Sequence, residues 1–410
     1  MSAFAHPRID PESGICEYFS AGQCESCSLM RTPHDAQVRE AQDRLHSLLA
    51  HAVTPATVWE EPLVSAPWGF RTKAKMMVRG TANAPVFSFP GTHEGVDLAD
   101  CPLYPALVTD VLESARALIR RAQVPPYNLD KRRGEIKYVL VTATQTEAMV
   151  RLVLRSTSAL ERIREHLALL DPRVSVVSAN IHPEHEALIE GAEEIHLAGA
   201  DRLRLPIGGI DVDVLPRSFT QTNTAVASEL YAQVARWILD AGAHTTWDLY
   251  CGVGGFALSI AHEARARGAH MDVTGIEITN EAIESARGSA KRHGFAGAVG
   301  PLPLTAPEPS VRAHFDTADA TEWARHQPNL PEAIVVNPPR RGIGDALATV
   351  LNSSGVRTIA YSSCNPETLA ADLARMPNYR IARTRLIDMF PHSAHNEALV
   401  LLTRGTAGER

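Results

Sequence analysis

The sequence predicts an α/β protein whose carboxyl-terminal half is a doubly wound parallel sheet. Beyond residue 216, strand-like apolar segments at Thr245–Tyr250, Asp272–Glu277, Ala333–Val336 and Arg357–Tyr361 alternate strictly with helical stretches, the pattern of a parallel sheet covered on both faces. Glycines crowd the junction of the first strand and first helix in Gly252-Val-Gly-Gly255, where such sheets hold ligands. Upstream, from Val58 to about Leu215, strands and helices mix without that order, as in an α+β domain. Three parts are therefore expected: a cysteine-bearing segment at 1–57, a central α+β domain at 58–215 and an α/β domain at 216–410.

In chain order, residues 12–33 lack periodicity and read as loop. Asp35–Ala50 carries Val38, Ala41, Leu45, Leu48 and Leu49 at helical spacing. Phe70–Arg79 alternates Arg71, Lys73, Lys75 and Arg79 with smaller or apolar residues, which places four cations on one face of a strand. Tyr138–Thr142, Met149–Leu154 and Arg173–Ile181 read as strands, and Ala159–Leu170 as a helix. His182, His185 and His196 lie among acidic neighbours at loop-like positions and read as surface histidines. A helix is expected over Ala225–Asp240, and Tyr379–Leu386 with Glu397–Thr403 should form an antiparallel edge, because no helix separates them. No internal repeat and no low-complexity linker is present.

A chain of 410 residues exceeds one ordinary core. Its 40 basic and 47 acidic residues leave a net charge of −7, which argues against an all-over nucleic-acid binder but not against local basic patches. Two patches stand out, Arg71 to Arg79 and Lys131-Arg-Arg133. No apolar run reaches membrane-spanning length, and Met1–Pro11 lacks the basic and apolar regions of a signal peptide. A cytoplasmic protein with no membrane association is expected.

Six cysteines occur, at 16, 24, 27, 101, 251 and 364. Three clustered thiols, Cys16-x7-Cys24-x2-Cys27, with Cys101 far downstream, suit a four-thiolate site for an iron–sulfur cluster or zinc. Pro102 after Cys101 resembles the Cys-Pro ending of ferredoxin-type motifs and points towards iron–sulfur. Cys364 differs. In Tyr361-Ser-Ser-Cys-Asn365 it ends a strand just before a helix, so its thiol leaves the carboxyl end of the sheet, and helix-start N–H groups should favour the thiolate. Cys251 reads as packing.

Asp248-Leu-Tyr-Cys-Gly-Val-Gly-Gly255 lacks the spacing of the dinucleotide fingerprint Gly-x-Gly-x-x-Gly. Asp-x-x-x-Gly-x-Gly is the S-adenosylmethionine form of this turn, and Glu277, ending the second strand, stands where ribose hydroxyls are bound. Asn337-Pro-Pro-Arg-Arg-Gly342 ends the fourth strand in a stiff loop.

Taken in order, Ser218-Phe-Thr-Gln-Thr-Asn223, the Asp-Leu-Tyr-Cys-Gly-Val-Gly-Gly turn, Gly-Ile-Glu277, Asn-Pro-Pro-Arg-Arg-Gly342, Tyr361-Ser-Ser-Cys-Asn365 and Asp388-Met-Phe-Pro-His-Ser-Ala-His-Asn-Glu397 resemble the RNA uracil-C5 methyltransferases over nearly the whole chain. Many relatives carry an amino-terminal TRAM barrel before the cysteines, whereas only fifteen residues precede Cys16 here, and Asn337 stands where the tRNA-modifying relatives and the TRAM-bearing rRNA enzymes have Asp. Both features resemble the 23S rRNA (uracil-747-C5)-methyltransferases. That resemblance implies a Rossmann-like class I methyltransferase domain, an amino-terminal iron–sulfur segment and a central RNA-binding domain. It further implies a 4Fe-4S cluster on Cys16, Cys24, Cys27 and Cys101, and S-adenosylmethionine held by Gln221, Tyr250, Gly252, Glu277, Asn337 and Asp319. RNA is the implied partner, 23S rRNA in particular, and a monomer is expected.

Uracil C5 is a poor nucleophile until a thiolate adds at C6, which suits Cys364 to covalent catalysis. Removal of the C5 proton needs a base, for which Glu397 fits by family position, with His392 and His395 as runners-up that read better as loop-positioning residues. Arg340 is placed to hold the uracil or neutralise charge on its oxygen. The alternatives are a tRNA uracil-C5 methyltransferase, a cytosine-type methyltransferase, or a non-catalytic iron–sulfur RNA-binding module.

Overall fold

The computed structural model describes residues 8–89, 95–185, 189–295 and 310–405; most of the opening stretch read for a leader, residues 1–7, lies outside them. The chain forms two compact units, one from Met1–Arg31 with Ala66–Arg204, the other from Thr32–Ser65 with Leu205–Arg410. These limits differ from the three parts read in the sequence.

In the first unit a six-stranded sheet runs in the order Pro85–Ser88, Lys73–Gly80, Ile136–Ala143, Ala148–Leu154, Val174–Ile181, Glu193–Gly199. Ala148–Leu154 and Val174–Ile181 pair in parallel and the other neighbours are antiparallel. Helix Ala106–Arg121 buries Leu107, Val108, Val111, Leu112, Ala115, Leu118 and Ile119, an apolar stripe at helical spacing. This stripe shares a core with Ala74, Met76 and Val78, the alternate residues of Lys73–Gly80. Lys73, Lys75 and Arg79 take the opposite parity on that strand, as the alternation predicts.

The second unit holds an eight-stranded sheet in the order Val58–Trp59, Tyr379–Ile387, Glu397–Arg404, Thr358–Ser363, Ala333–Val336, Thr245–Leu249, Met271–Glu277, Val311–Thr317. The five strands from Thr358–Ser363 to Val311–Thr317 are parallel. Glu397–Arg404 pairs antiparallel with both its neighbours. The expected antiparallel pair therefore forms, but not as an edge: Glu397–Arg404 lies inside the sheet, and Val58–Trp59 adds in parallel beyond Tyr379–Ile387. All but the last two residues of Glu397–Arg404 are buried, as an interior strand requires.

Helix His34–Leu49 matches the predicted Asp35–Ala50 but belongs to this unit, not to an amino-terminal one. The reason lies in its stripe: Val38, Leu45 and Leu49 pack into one core with Trp247, Leu249, Ile334, Val336, Ile359, Tyr361 and Leu369. On the other parity, Thr246, Asp248, Val335 and Ala360 are also buried, and helices Thr224–Asp240 and Gly255–Ala266 pack together on this unit. Of the histidines read as surface residues, His182 is buried, because its backbone N–H continues the pairing by donating to Leu154 O at 2.7 Å. Among the described residues no helix is long and apolar enough to cross a membrane.

Candidate functional site

Parallel pairing places the carboxyl ends of five adjacent strands along one edge of the second unit. Reading across that edge, Asp319 follows Thr317, Glu277 ends the next strand, Tyr250 to Gly252 follow Leu249, Asn337 follows Val336, and Cys364 follows Ser363. The strand order reverses between Thr245–Leu249 and Ala333–Val336, so the glycine turn and Asn337 flank the switch point, where open sheets leave a crevice. Of the predicted cofactor residues, only Gln221 is not at a strand end; it sits half-buried in the loop before helix Thr224–Asp240.

The turn is held from within. Glu277 Oε2 accepts from Gly252 N–H at 3.3 Å, while Oε1 accepts from Thr279 N–H at 3.0 Å. Gly252 and Gly254 have φ of 54° and 86°, and a Cβ on Gly255 would lie 2.6 Å from the Tyr231 ring. Tyr250 also has positive φ, 67°, a conformation costly to a non-glycine residue and found at functional turns. Its hydroxyl is tied to Thr321 near Asp319, the cap of helix Ala320–Arg325. Asp248 is wholly buried; its Oδ2 accepts from Ala257 N–H at 3.0 Å and its Oδ1 has no partner among the described residues. Burial pushes its carboxyl up to about 8, with Glu277 adding to the effect.

Antiparallel register brings the two predicted catalytic groups together. Ser362 pairs with Leu399 and Ser363 with Ala398, so the next step sets Cys364 beside Glu397. Glu397 is fully buried, and burial pushes it up to about 6 although Ser362 Oγ donates to its Oε1. Its Oε2 has no partner among the described residues. Burial first and Glu397 second push the half-buried Cys364 thiol up, partly offset by the Arg340 guanidinium. This corrects the expectation that helix-start N–H groups would favour the thiolate: Asn365 and Ser363 side chains take those groups, at 3.2 Å each from Glu367 N and Asn365 N.

Arg340 is exposed; its Nη2 is 3.2 Å from His395 Nδ1, and its carbonyl accepts from Asn365 Nδ2 at 3.2 Å. His392 is buried at φ 65° and donates its backbone N–H to Gln37 Oε1 at 2.9 Å, which fits a loop-positioning role. Three supports escaped the sequence reading. Ser362 holds Glu397; Asp372 Oδ2 accepts from Tyr361 Oη at 2.7 Å and Ile343 N–H at 2.9 Å; and His34 Nε2 meets Asp388 Oδ2 at 2.7 Å. Only the positive-φ Gly342, whose Cβ would meet Asp372 Oδ2, carries a sequence signal for any of them.

In the first unit Cys16, Cys24, Cys27 and Cys101 line one apolar pocket with Trp68, Phe89 and Leu98. Asp100 draws the segments together by accepting from Tyr18 Oη and from Arg8 Nε. Burial, then neighbouring thiols, pushes Cys27 up to about 12, and the nearby Arg71 guanidinium offsets this in part. Arg71, read as an RNA contact, thus lies by the thiols, with its Nε buried. Among the described residues no group of three or more His, Cys, Asp or Glu side chains is placed to hold a single metal ion.

A family model described as tRNA (Uracil-5-)-methyltransferase matches residues 309–405. A 23S rRNA (uracil(747)-C(5))-methyltransferase RlmC of Shewanella amazonensis is 44% identical over 96% of this chain and 98% of its own. The same enzyme of Halothiobacillus neapolitanus is 40% identical over 95% and 99%. The chain belongs to the RNA uracil-C5 methyltransferase family, in the RlmC subfamily. A uracil-C5 methyltransferase fold is also found in the solved tRNA (uracil-54, C5)-methyltransferase of Pyrococcus abyssi, in complex with S-adenosyl-L-homocysteine, with a TM-score of 0.74 and 23% identity over 93% of this chain and 86% of that one. The match covers 93% of this chain, so the likeness of fold is not confined to the carboxyl-terminal sheet.

Proposed function

We propose that the protein methylates C5 of a uridine in 23S rRNA, with Cys364 as covalent nucleophile and Glu397 as base. The observation that carries this is the juxtaposition of Cys364 and Glu397 at the carboxyl edge of the sheet that also carries the glycine turn. S-adenosylmethionine, when bound by residues of that turn with Glu277, Asp319, Asn337 and Gln221, supplies the methyl group. Everything else falls to side chains. Cys364 Sγ adds to uracil C6 and leaves C5 electron-rich. Arg340 favours the negative sulfur before addition and the charged uracil oxygen after it. Glu397 Oε2, buried and without a partner among the described residues, then takes the C5 proton as Cys364 departs. A carboxyl near 6 is ionised at neutral pH yet basic enough for this transfer. The reacting atoms are shielded in stacked RNA, so the target base must be unpaired or flipped.

Full-length relatives that act on 23S rRNA favour that target over tRNA. Nucleophile, base and cofactor turn occurring together count against a non-catalytic module. The first unit is proposed to contribute RNA binding, and Cys16, Cys24, Cys27 and Cys101 a 4Fe-4S cluster. A cluster spreads its thiolates over separate irons, so it asks for a shared pocket rather than one common point.

One denaturing gel tests the catalytic assignment. With 23S rRNA fragment and methyl donor, C364A should give no covalent complex and no methylation. E397Q should accumulate a methylated RNA adduct that turns over slowly. An adduct with C364A, or normal turnover with E397Q, would falsify these roles.

A further inference from the structure

Glu397 is held in an unusual way for a buried carboxylate. A fully enclosed carboxylate normally acquires a cation or several donors. Here one hydroxyl, that of Ser362, donates to Oε1, and Oε2 is enclosed without a partner among the described residues. Ser362 is itself fully buried, on the strand beside Glu397, and its single proton is spent on this bond. The titratable groups facing Glu397 are Cys364, at the end of that strand, and Tyr231, from helix Thr224–Asp240. Neither supplies a positive charge.

We propose that Ser362 is the positioning residue of the proton-abstraction step, its hydroxyl fixing one oxygen of Glu397 so that Oε2 is the atom that takes the proton. This rests on the reading of Glu397 as base. In the step, the C5–H pair becomes the C5–C6 double bond, the proton passes to Oε2, and the C6–S pair returns to Cys364. Ser362 touches none of the reacting atoms. It acts through Glu397, whose charged form its hydrogen bond favours.

The sign follows. Without the hydroxyl, Glu397 holds its proton to higher pH, so the acidic limb of adduct release moves up the pH scale. The test is single turnover on a transcribed 23S rRNA fragment with S-adenosylmethionine across the pH range, comparing wild type, S362A, S362T and E397Q. S362A should transfer methyl into the adduct at nearly the wild-type rate but release it about two-fold more slowly near pH 7 and about ten-fold more slowly near pH 5, its midpoint raised by about one pH unit. KM for the methyl donor should not move, and S362T, which keeps the hydroxyl, should restore the wild-type profile. Should S362A fail to fold, S362C, of similar volume but a weaker donor, should show the same upward shift. An unmoved midpoint in S362A or S362C, while E397Q still traps the adduct, overturns the proposal and leaves the base standing. Release by E397Q at the wild-type rate overturns the base, and this proposal with it.

Discussion

Cys16, Cys24, Cys27 and Cys101 line one apolar pocket with Trp68, Phe89 and Leu98, and the proposed cluster would be their shared guest. Cys101 is the informative one. It comes from a distant stretch of chain and is held in place through Asp100 by Tyr18 and Arg8. C101S should leave three thiolates and an incomplete site. Anaerobically purified wild type should contain iron and acid-labile sulfide and absorb in the visible blue. C101S should lose both signals and melt at lower temperature, because a four-ligand site contributes folding free energy. Zinc without iron in the wild type is the contrary result. At this scale placement was readable: Cys364 and the glycine turn stand at the carboxyl ends of their strands, where the sequence put them. Ser362 and Asp372 were not readable, because a hydrogen bond between neighbouring strands or across a helix leaves no periodic trace. The Cys364 thiol was read too acidic for a related reason: burial and the neighbouring Glu397 push it up, and neither is visible in one segment.

Among the elements, helix His34–Leu49 shows most clearly how local pattern and tertiary placement separate. Its spacing declares a helix with one apolar stripe, but nothing in that stripe states which core receives it. The structure gives it to the catalytic unit, where Leu45 and Leu49 are buried against Tyr361 and Leu369, the elements flanking Cys364. The same limit explains the strand Glu397–Arg404: apolar run and missing helix predict an antiparallel pair, while insertion between two strands is a matter of sheet order. L45A therefore should cost about 2–5 kcal/mol, as a large-to-small change in a packed core does. Denaturant unfolding followed at Trp247 fluorescence, and methyl-donor binding by calorimetry, should both weaken. An effect confined to the cysteine-bearing unit would mean that the helix belongs there after all.

For the whole molecule the charge balance poses the question: a net charge of −7 must still admit a polyanion. The patch on Lys73–Gly80 is partly engaged. Lys73 is half-buried, and desolvation pulls its ammonium down to about 8, while the exposed Lys75 lies 4.0 Å from Glu190, itself bound to Arg151. Arg71 is turned to the thiols. Lys131, Arg132 and Arg133 differ, all exposed on a short turn closed by Asn128 and Arg133. Electrostatic attraction to RNA comes from cations that release counterions from phosphates, and each contact adds roughly 0.7–0.9 to the slope of log affinity against log salt. Replacing Lys131, Arg132 and Arg133 by Ala should thus weaken binding of a 23S rRNA fragment and flatten that slope by about 2–3 if all three meet phosphates. K73A should flatten the slope less than the triple substitution does, since the half-buried Lys73 ammonium is less open to phosphate. Filter binding over a salt series distinguishes the two. A slope lowered by K73A and not by the triple substitution would place the RNA path on the strand face instead of the turn.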